Sequence, residues 1–361
     1  MTPSFHALTV RDVRRETDDT VSIAFDVPAD LAAAYRFAHG QYLTLRTVID
    51  GAEVRRSYSI CAGCDDGELR VAIKRVPGGL FSAYANGNLK PGDRVEVMTP
   101  MGRFTVPLDP EAARTYVAMA AGSGITPVLS ILKTVLRREP KSRFILVYGN
   151  RTVDSIIFRE TLEDLKDAHL GRLSIHHVLS REPDESGLLT GRIDRAGVAE
   201  LCGTLVDPAG VHAWFLCGPQ GMIEDARAEL LDRGVDPHAI HAELFTTGID
   251  PTRAPAPVPH PVVEHSGDAA HITVLLDGKR KEFALPFDGE AILDAAHKAG
   301  ADLPYSCKSG VCCTCRAKLV EGQVEMAKNY ALQPWEVEAG YILTCQSRPL
   351  TDRVVVDFDA T

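Results

Sequence analysis

Hydrophobic and polar positions alternate in short runs through the first hundred or so residues. Val21-Ser22-Ile23-Ala24-Phe25, Tyr42-Leu43-Thr44-Leu45 and Arg70-Val71-Ala72-Ile73-Lys74 are each bounded by turn-forming residues. This pattern predicts the strands of an antiparallel sheet or barrel. From Thr115 to Phe245 the rhythm changes. Apolar runs at 116–120, 144–148, 175–179, 214–217 and 240–244 alternate with helical stretches. Strands alternating with helices predict a doubly wound α/β domain. Beyond about residue 269 the chain reads as a hairpin around Asp277-Gly278, a helix over 290–298, a cysteine-rich loop and a last strand near 354–356.

Length agrees with several compact bodies, since 361 residues exceed what one ordinary core serves. Between 250 and 261 five prolines fall in twelve residues, a run that neither helix nor sheet accepts and that predicts a semi-rigid linker. Hydrophobic residues at 45%, charged at 24% and aromatics at 6% are those of an ordinary folded protein. A formal charge of −10 gives no long-range attraction to nucleic acid or anionic lipid. The first fifteen residues lack the apolar stretch of an export signal, and no run of about 18 apolar residues exists to span a bilayer. A cytoplasmic setting is expected, with neither a nucleic-acid nor a membrane partner.

Five of nine cysteines crowd into the last quarter of the chain. In a reducing compartment clustered thiols more often hold metal than form disulfides. Cys307, Cys312, Cys315 and Cys345 follow the C-x4-C-x2-C…C spacing of plant-type [2Fe–2S] sites, with 29 residues before the last. Small residues at Ser309, Gly310 and Thr314 allow the backbone to approach a compact cluster closely. Cys313 is left over as a loop filler, and a slip of the ligand assignment onto it stays open. So does a structural zinc held by the same four thiolates. Cys61 and Cys64 form a C-x2-C pair, but no helix follows them, so they are expected to be structural. The string from Tyr305 to Cys315, with Leu343-Thr344-Cys345, resembles the cluster loop of plant-type ferredoxins. That resemblance implies an α+β β-grasp fold and a one-electron carrier, for which the potential is on the order of −400 mV.

After the strand at 116–120 comes Gly122-Ser123-Gly124-Ile125-Thr126-Pro127, followed by an amphipathic helical pattern. Gly122 and Gly124 let backbone amides approach a pyrophosphate, and the helix start favours anions. The third position is not glycine, so this is not the usual dinucleotide fingerprint. A second strand end carries Cys217-Gly218-Pro219-Gln220-Gly221-Met222, and the first segment carries Arg56-Ser57-Tyr58-Ser59-Ile60. Together these motifs resemble the ferredoxin–NADP reductase superfamily, which implies FAD in an antiparallel Greek-key β-barrel. In that family Arg56 would clamp the flavin pyrophosphate, Tyr58 would pack on the isoalloxazine, and Ser59 would hydrogen-bond near its reactive nitrogen. Gly79, Leu80, Phe81 and Ser82 resemble its second phosphate contact, flanked by Lys74. The nicotinamide would lie near Thr126 and the turn Cys217, Gly218, Pro219, with Glu243 and Phe245 matching the acid and aromatic at the end of the last strand.

Coenzyme choice has a direct physical reading. The second α/β strand ends at Asn150-Arg151 with no carboxylate for a ribose 2′-hydroxyl, and the third ends at Ser180-Arg181, which can cradle a 2′-phosphate. NADPH is therefore expected over NADH, with Glu182 pulling the other way. The expected order is an FAD barrel at 1–110, a nucleotide domain at 111–248, a linker at 249–268 and a [2Fe–2S] domain at 269–361. This order, with Phe5-His6-Ala7-Leu8-Thr9-Val10 and Gly191-Arg192-Ile193-Asp194, resembles the reductase subunits of phenylacetyl-CoA epoxidases. It implies electron delivery to a di-iron oxygenase component of a multicomponent monooxygenase. The reductase of a Rieske-type or steroid hydroxylase stays open, as does a zinc-holding nucleotide-binding scaffold. No general acid–base residue is required, because the cofactors carry the chemistry.

Overall fold

A computed structural model describes residues 3–182, 190–245 and 267–360, and the proline-rich run at 250–261 lies outside the described residues. One compact unit takes residues 5–249, and a second takes residues 250–361 together with the first four residues of the chain.

The first unit opens with six strands: β1 (Phe5–Thr17), β2 (Thr20–Asp26), β3 (Tyr42–Ile49), β4 (Ala52–Ser59), β5 (Leu69–Lys74) and, after helix α1 (Leu80–Gly87), β6 (Arg94–Met98). Their order is β4-β3-β6-β1-β2-β5, antiparallel throughout. An antiparallel bridge between Ile60 and Val71 and the bond from the Cys61 amide to the Arg70 carbonyl at 2.9 Å join the two outer strands. These contacts draw the two outer strands together at one end and curl the sheet towards a barrel. Leu8, Ile23, Leu43, Leu45, Ile73 and Val97 fill its interior, and Phe81 of α1 plugs one end.

The nucleotide half follows as β7 (Thr115–Ala121), α2 (Ile125–Arg138), β8 (Arg143–Asn150), α3 (Arg159–Ala168), β9 (Leu173–Leu179), α4 (Arg195–Thr204), β10 (Ala213–Gly218), α5 (Gln220–Asp232) and β11 (Ile240–Leu244). The strands are all parallel, in the order β11-β10-β7-β8-β9. Tyr116, Ala118 and Ala120 of β7 pack against α2 and α3, whereas Val117 and Met119 pack against α4 and α5. A strand buried on both faces reads as a continuous apolar run, as 116–120 does. Sequential order reverses between β7 and β10, so their carboxyl ends flank the crevice where open sheets bind ligands.

The second unit contains β12 (Ala269–Leu276), β13 (Lys279–Pro286), α6 (Ile292–Lys298), β14 (Arg316–Glu321), β15 (Val324–Met326), α7 (Pro334–Glu338), β16 (Tyr341–Leu343), β17 (Ser347–Pro349) and β18 (Arg353–Asp357). Asp277 and Gly278 both take positive φ, 54° and 66°, which is the tight turn whose twist suits a β-hairpin. The larger sheet runs β13-β12-β18-β14-β16, with β12 and β18 parallel at its centre. Ile292, Leu293 and Ala296 of α6 seal one face of this β-grasp core. Among the described residues no helix is long and apolar enough to cross a membrane.

Candidate cofactor sites

The flavin motif lies along the end of β4. Tyr58 is half-buried and its ring meets Phe81 at 5.6 Å, so one aromatic face is held by α1. Arg56 is exposed, with Nη1 donating to the Arg55 carbonyl at 2.7 Å. Ser59 is buried and donates through Oγ to Glu243 Oε2 at 3.2 Å. This bond brings together two predicted residues 184 positions apart. Burial pushes the Glu243 carboxyl up to about 7, against the stabilising bond from Ser59. Gly79 precedes α1, where Ser82 Oγ accepts from the Val76 amide at 3.1 Å and donates to the Gly79 carbonyl at 3.1 Å. A Cβ on Gly79 would stand 2.6 Å from Ser82 Oγ, so the turn admits only glycine without a shift. Phe81 is buried and Leu80 exposed, while Lys74 pairs with Asp19 at 3.2 Å.

At the crevice, Gly122–Gly124 form a single 3-10 turn leading into α2. A Cβ on Gly124 would fall 2.0 Å from the Cys217 carbonyl oxygen, and one on Gly218 would fall 2.8 Å from Met222 Cε. The glycines therefore let two strand ends touch, besides leaving room for a ligand. Tyr148 donates its hydroxyl to the Gly122 carbonyl at 2.9 Å and fixes the turn. Thr126 is buried, its Oγ1 donating to the Ser123 carbonyl at 3.1 Å. Cys217 is fully buried, and that burial raises its thiol well above the ordinary range. Pro219 caps the start of α5, and Phe245 packs against the core beneath β7.

Ser180 and Arg181 donate their backbone N–H groups to the carbonyls of Asn150 and Arg151, at 3.0 and 2.9 Å. The two arginines thus stand on adjoining strand ends, both exposed. Glu182 Oε2 accepts from the Val153 amide at 3.1 Å.

In the cysteine loop the four predicted ligands meet as two pairs, and among the described residues no three metal-binding side chains group closely enough to hold one ion. Cys307 and Cys312 share one thiol hydrogen bond, and Cys315 and Cys345 share another. Two pairs suit two irons, each taking two thiolates, better than one ion taking four. The Ser309 amide donates to Cys307 Sγ at 3.3 Å. Ser306 is buried, and its hydroxyl has no hydrogen-bond partner among the described residues, which suits a neighbouring sulfide acceptor. Cys313 sits at φ 54° and its carbonyl accepts from the Arg316 amide at 3.1 Å, a turn position in the loop. Cys61 is buried with its thiol donating to the Arg70 carbonyl at 3.4 Å.

Three family models match successive stretches: an oxidoreductase FAD-binding domain at residues 7–106, an oxidoreductase NAD-binding domain at 119–228, and a 2Fe-2S iron-sulfur cluster binding domain at 274–350. One subunit of the 1,2-phenylacetyl-CoA epoxidase from Escherichia coli is 46% identical over 99% of this chain and 98% of its own length. The chain belongs to the ferredoxin–NADP reductase superfamily, among the oxygenase reductases that carry a 2Fe-2S domain. The ferredoxin reductase component of 3-ketosteroid-9-alpha-monooxygenase from Rhodococcus rhodochrous, another such reductase, is 36% identical over 97% of the chain and 96% of its own length. The structure of phthalate dioxygenase reductase superposes with a TM-score of 0.59 at 25% identity, covering 98% of each chain. A reductase of this kind moves electrons from a pyridine nucleotide through a flavin to a [2Fe–2S] centre, and the 2Fe-2S domain stands where zinc was the alternative. Two side chains beside the predicted sites escaped the motif reading: Tyr148, which holds the glycine turn, and Gln346, which follows the last cysteine.

Proposed function

We propose that this reductase oxidises NADPH and passes single electrons to the di-iron oxygenase of a phenylacetyl-CoA epoxidase, in the cytoplasm. The observation that carries this reading is the end-to-end match to the E. coli epoxidase protein, ten percentage points above the steroid-system reductase. When bound, FAD converts a two-electron donor into single electrons and the [2Fe–2S] centre relays them.

The remaining work falls to the chain's own residues. Arg56 has no acid partner among the described residues and stands on β4, placed to clamp a pyrophosphate, and the amides at Gly79–Ser82 meet the second phosphate at the start of α1. Lys74, already paired to Asp19, neutralises the barrel rim rather than touching phosphate. Tyr58 offers a flat face to the flavin ring, and Ser59 presents its hydroxyl beside the reactive edge. Gly122 and Gly124 seat the coenzyme diphosphate, while Thr126 and the turn Cys217, Gly218, Pro219 border the nicotinamide. Glu243 orients Ser59, and Phe245 closes the site. Cys307, Cys312, Cys315 and Cys345 hold the irons. The segments 1–110, 111–248, 249–268 and 269–361 serve as flavin domain, nucleotide domain, linker and cluster domain.

Preference for NADPH rests on Arg151 and Arg181 standing on adjoining strand ends, with the carboxylate of Glu182 engaged by the Val153 amide instead of a ribose. Initial rates of the holoprotein, coupled to phenylacetyl-CoA epoxidation by the cognate oxygenase, test both parts. NADPH is expected to show the higher kcat/KM, and Arg181→Ala to lower it about tenfold by removing a charge-assisted hydrogen bond while leaving NADH nearly unchanged. Equal loss with both coenzymes sinks the 2′-phosphate assignment, and an uncoupled oxygenase sinks the partner. Coupling instead to the oxygenase of a steroid hydroxylase would favour the second reading, which the 36% relative, named as a 3-ketosteroid-9-alpha-monooxygenase component, supports.

A further inference from the structure

We propose that the side-chain amide of Gln346 sets the potential of the iron–sulfur centre by donating to the Cys345 sulfur while tying Cys345 to the loop that carries Cys307. Gln346 Nε2 lies 3.0 Å from the Lys308 carbonyl oxygen, 2.9 Å from the Cys345 carbonyl oxygen and 3.5 Å from Cys345 Sγ. A primary amide has two N–H groups. One is committed to Lys308, and the other divides between the carbonyl and the sulfur of Cys345.

The side chain has little freedom to leave this position. Its stem borders Gly310, where an added Cβ would meet Gln346 Cγ at 3.3 Å and the Lys328 carbonyl oxygen at 2.9 Å. Its backbone is fixed on both sides, donating to the Leu343 carbonyl at 2.8 Å and accepting from the Ala327 amide at 2.9 Å. Lys308, the far end of the tie, sits at φ 50°, a left-handed conformation that needs external support in a residue with a Cβ. Gln346 thus spans the first and last segments of the predicted ligand set.

Reduction adds one negative charge, shared between the irons and their thiolates. An N–H aimed at a sulfur stabilises that charge, so it raises the potential. Backbone donors such as the Ser309 amide do the same for Cys307, but only a proline would remove them. Gln346 is a side-chain donor that substitution can remove, as are the Ser309 and Thr314 side chains beside Cys307 and Cys312.

This inference rests on reading Cys307, Cys312, Cys315 and Cys345 as the cluster ligands. The test is an anaerobic titration of the full-length holoprotein, following the cluster's visible and electron-spin signals alongside iron per chain. Gln346→Met keeps the shape without a donor and is expected to shift the one-electron equilibrium about five- to tenfold toward the oxidised form, tenfold being about 59 mV. Gln346→Glu, which replaces the donor with an anion, is expected to lower the potential further, and Gln346→Lys to return it to or above the parent value. Fully iron-loaded Met and Glu variants at the parent potential would reduce Gln346 to a structural tie and overturn the proposal. Where the Met variant loses iron, the Lys and Glu variants decide it, a Glu potential at or above that of Lys overturning it and a Glu potential below both Lys and the parent supporting it. A parent protein without a [2Fe–2S] signal would instead overturn the ligand reading.

Discussion

Half-buried Glu243 and buried His39 are ionisable groups that work against each other. Burial holds the Glu243 carboxyl near 7, so the unfolded chain releases this proton around 4.5 while the folded chain keeps it. Its contribution to stability is full below 4.5 and is lost as pH rises to about 7. His39, buried beside Thr105 and the Val106 amide, is pushed down to about 4 by desolvation. Its contribution is present above 6.5 and is lost as pH falls towards 4. Comparing Glu243→Gln with the parent separates the two, because the histidine is common to both. The thermal midpoint of the parent is expected to fall relative to the variant between pH 4.5 and 7, by an amount corresponding to at most about 3 kcal/mol. Parallel pH curves would mean that the folded carboxyl titrates normally. Ser59 links this group to the flavin motif, so the same variant should also change the environment of bound FAD, read as a shift in its visible absorbance.

Helix α2 shows how one element depends on residues far from it in the chain. Its start is legible in the sequence, because glycines, a threonine, a proline and a 3.6-residue apolar rhythm all fall within the 122–136 stretch. Its end is not. Arg172, from the turn before β9, donates Nη2 to the Leu136 carbonyl at 2.8 Å and Nη1 to the Ser142 and Glu139 carbonyls at 3.2 and 3.3 Å. Glu139, whose side chain is fully buried, accepts from the Tyr116 hydroxyl, Ser142 Oγ and the Asp109 amide at 3.0, 2.6 and 2.8 Å. No local pattern announces either role, since each residue alone reads as an ordinary surface charge. Arg172→Met removes a cation from the negative end of the helix and leaves three carbonyls short of a donor. The expected cost is about 1–3 kcal/mol, seen by calorimetry as a lower transition for the unit within residues 5–249. Arg172→Lys should recover only part of it, because a single ammonium cannot reproduce the planar fork. An unchanged transition would show that solvent satisfies these carbonyls equally well. Separation in sequence likewise hides the Ser59–Glu243 contact, between residues 184 positions apart. The Asp277-Gly278 hairpin and the five parallel strands were open to reading because their causes are local.

Two compact units imply a division of labour that the cysteine loop makes separable. The flavin motif and the nucleotide crevice lie entirely within residues 5–249, and all four paired thiols lie within 250–361. Coenzyme oxidation should therefore persist without the cluster, provided an acceptor can take electrons from the flavin directly. Cys312→Ser tests this, because it breaks the Cys307–Cys312 pair and replaces a thiolate with a poor iron ligand. The barrel core and the α/β core share no residue with the core around Cys315 and Cys345, so FAD content should match the parent. Iron per chain is expected to collapse. Reduction of ferricyanide by the pyridine nucleotide should stay close to the parent rate, while coenzyme turnover coupled to an oxygenase should fall below detection. Loss of both activities together, with FAD still bound, would mean that the flavin passes electrons outward only when the cluster unit is intact. Retention of oxygenase coupling without iron would remove the cluster from the path altogether.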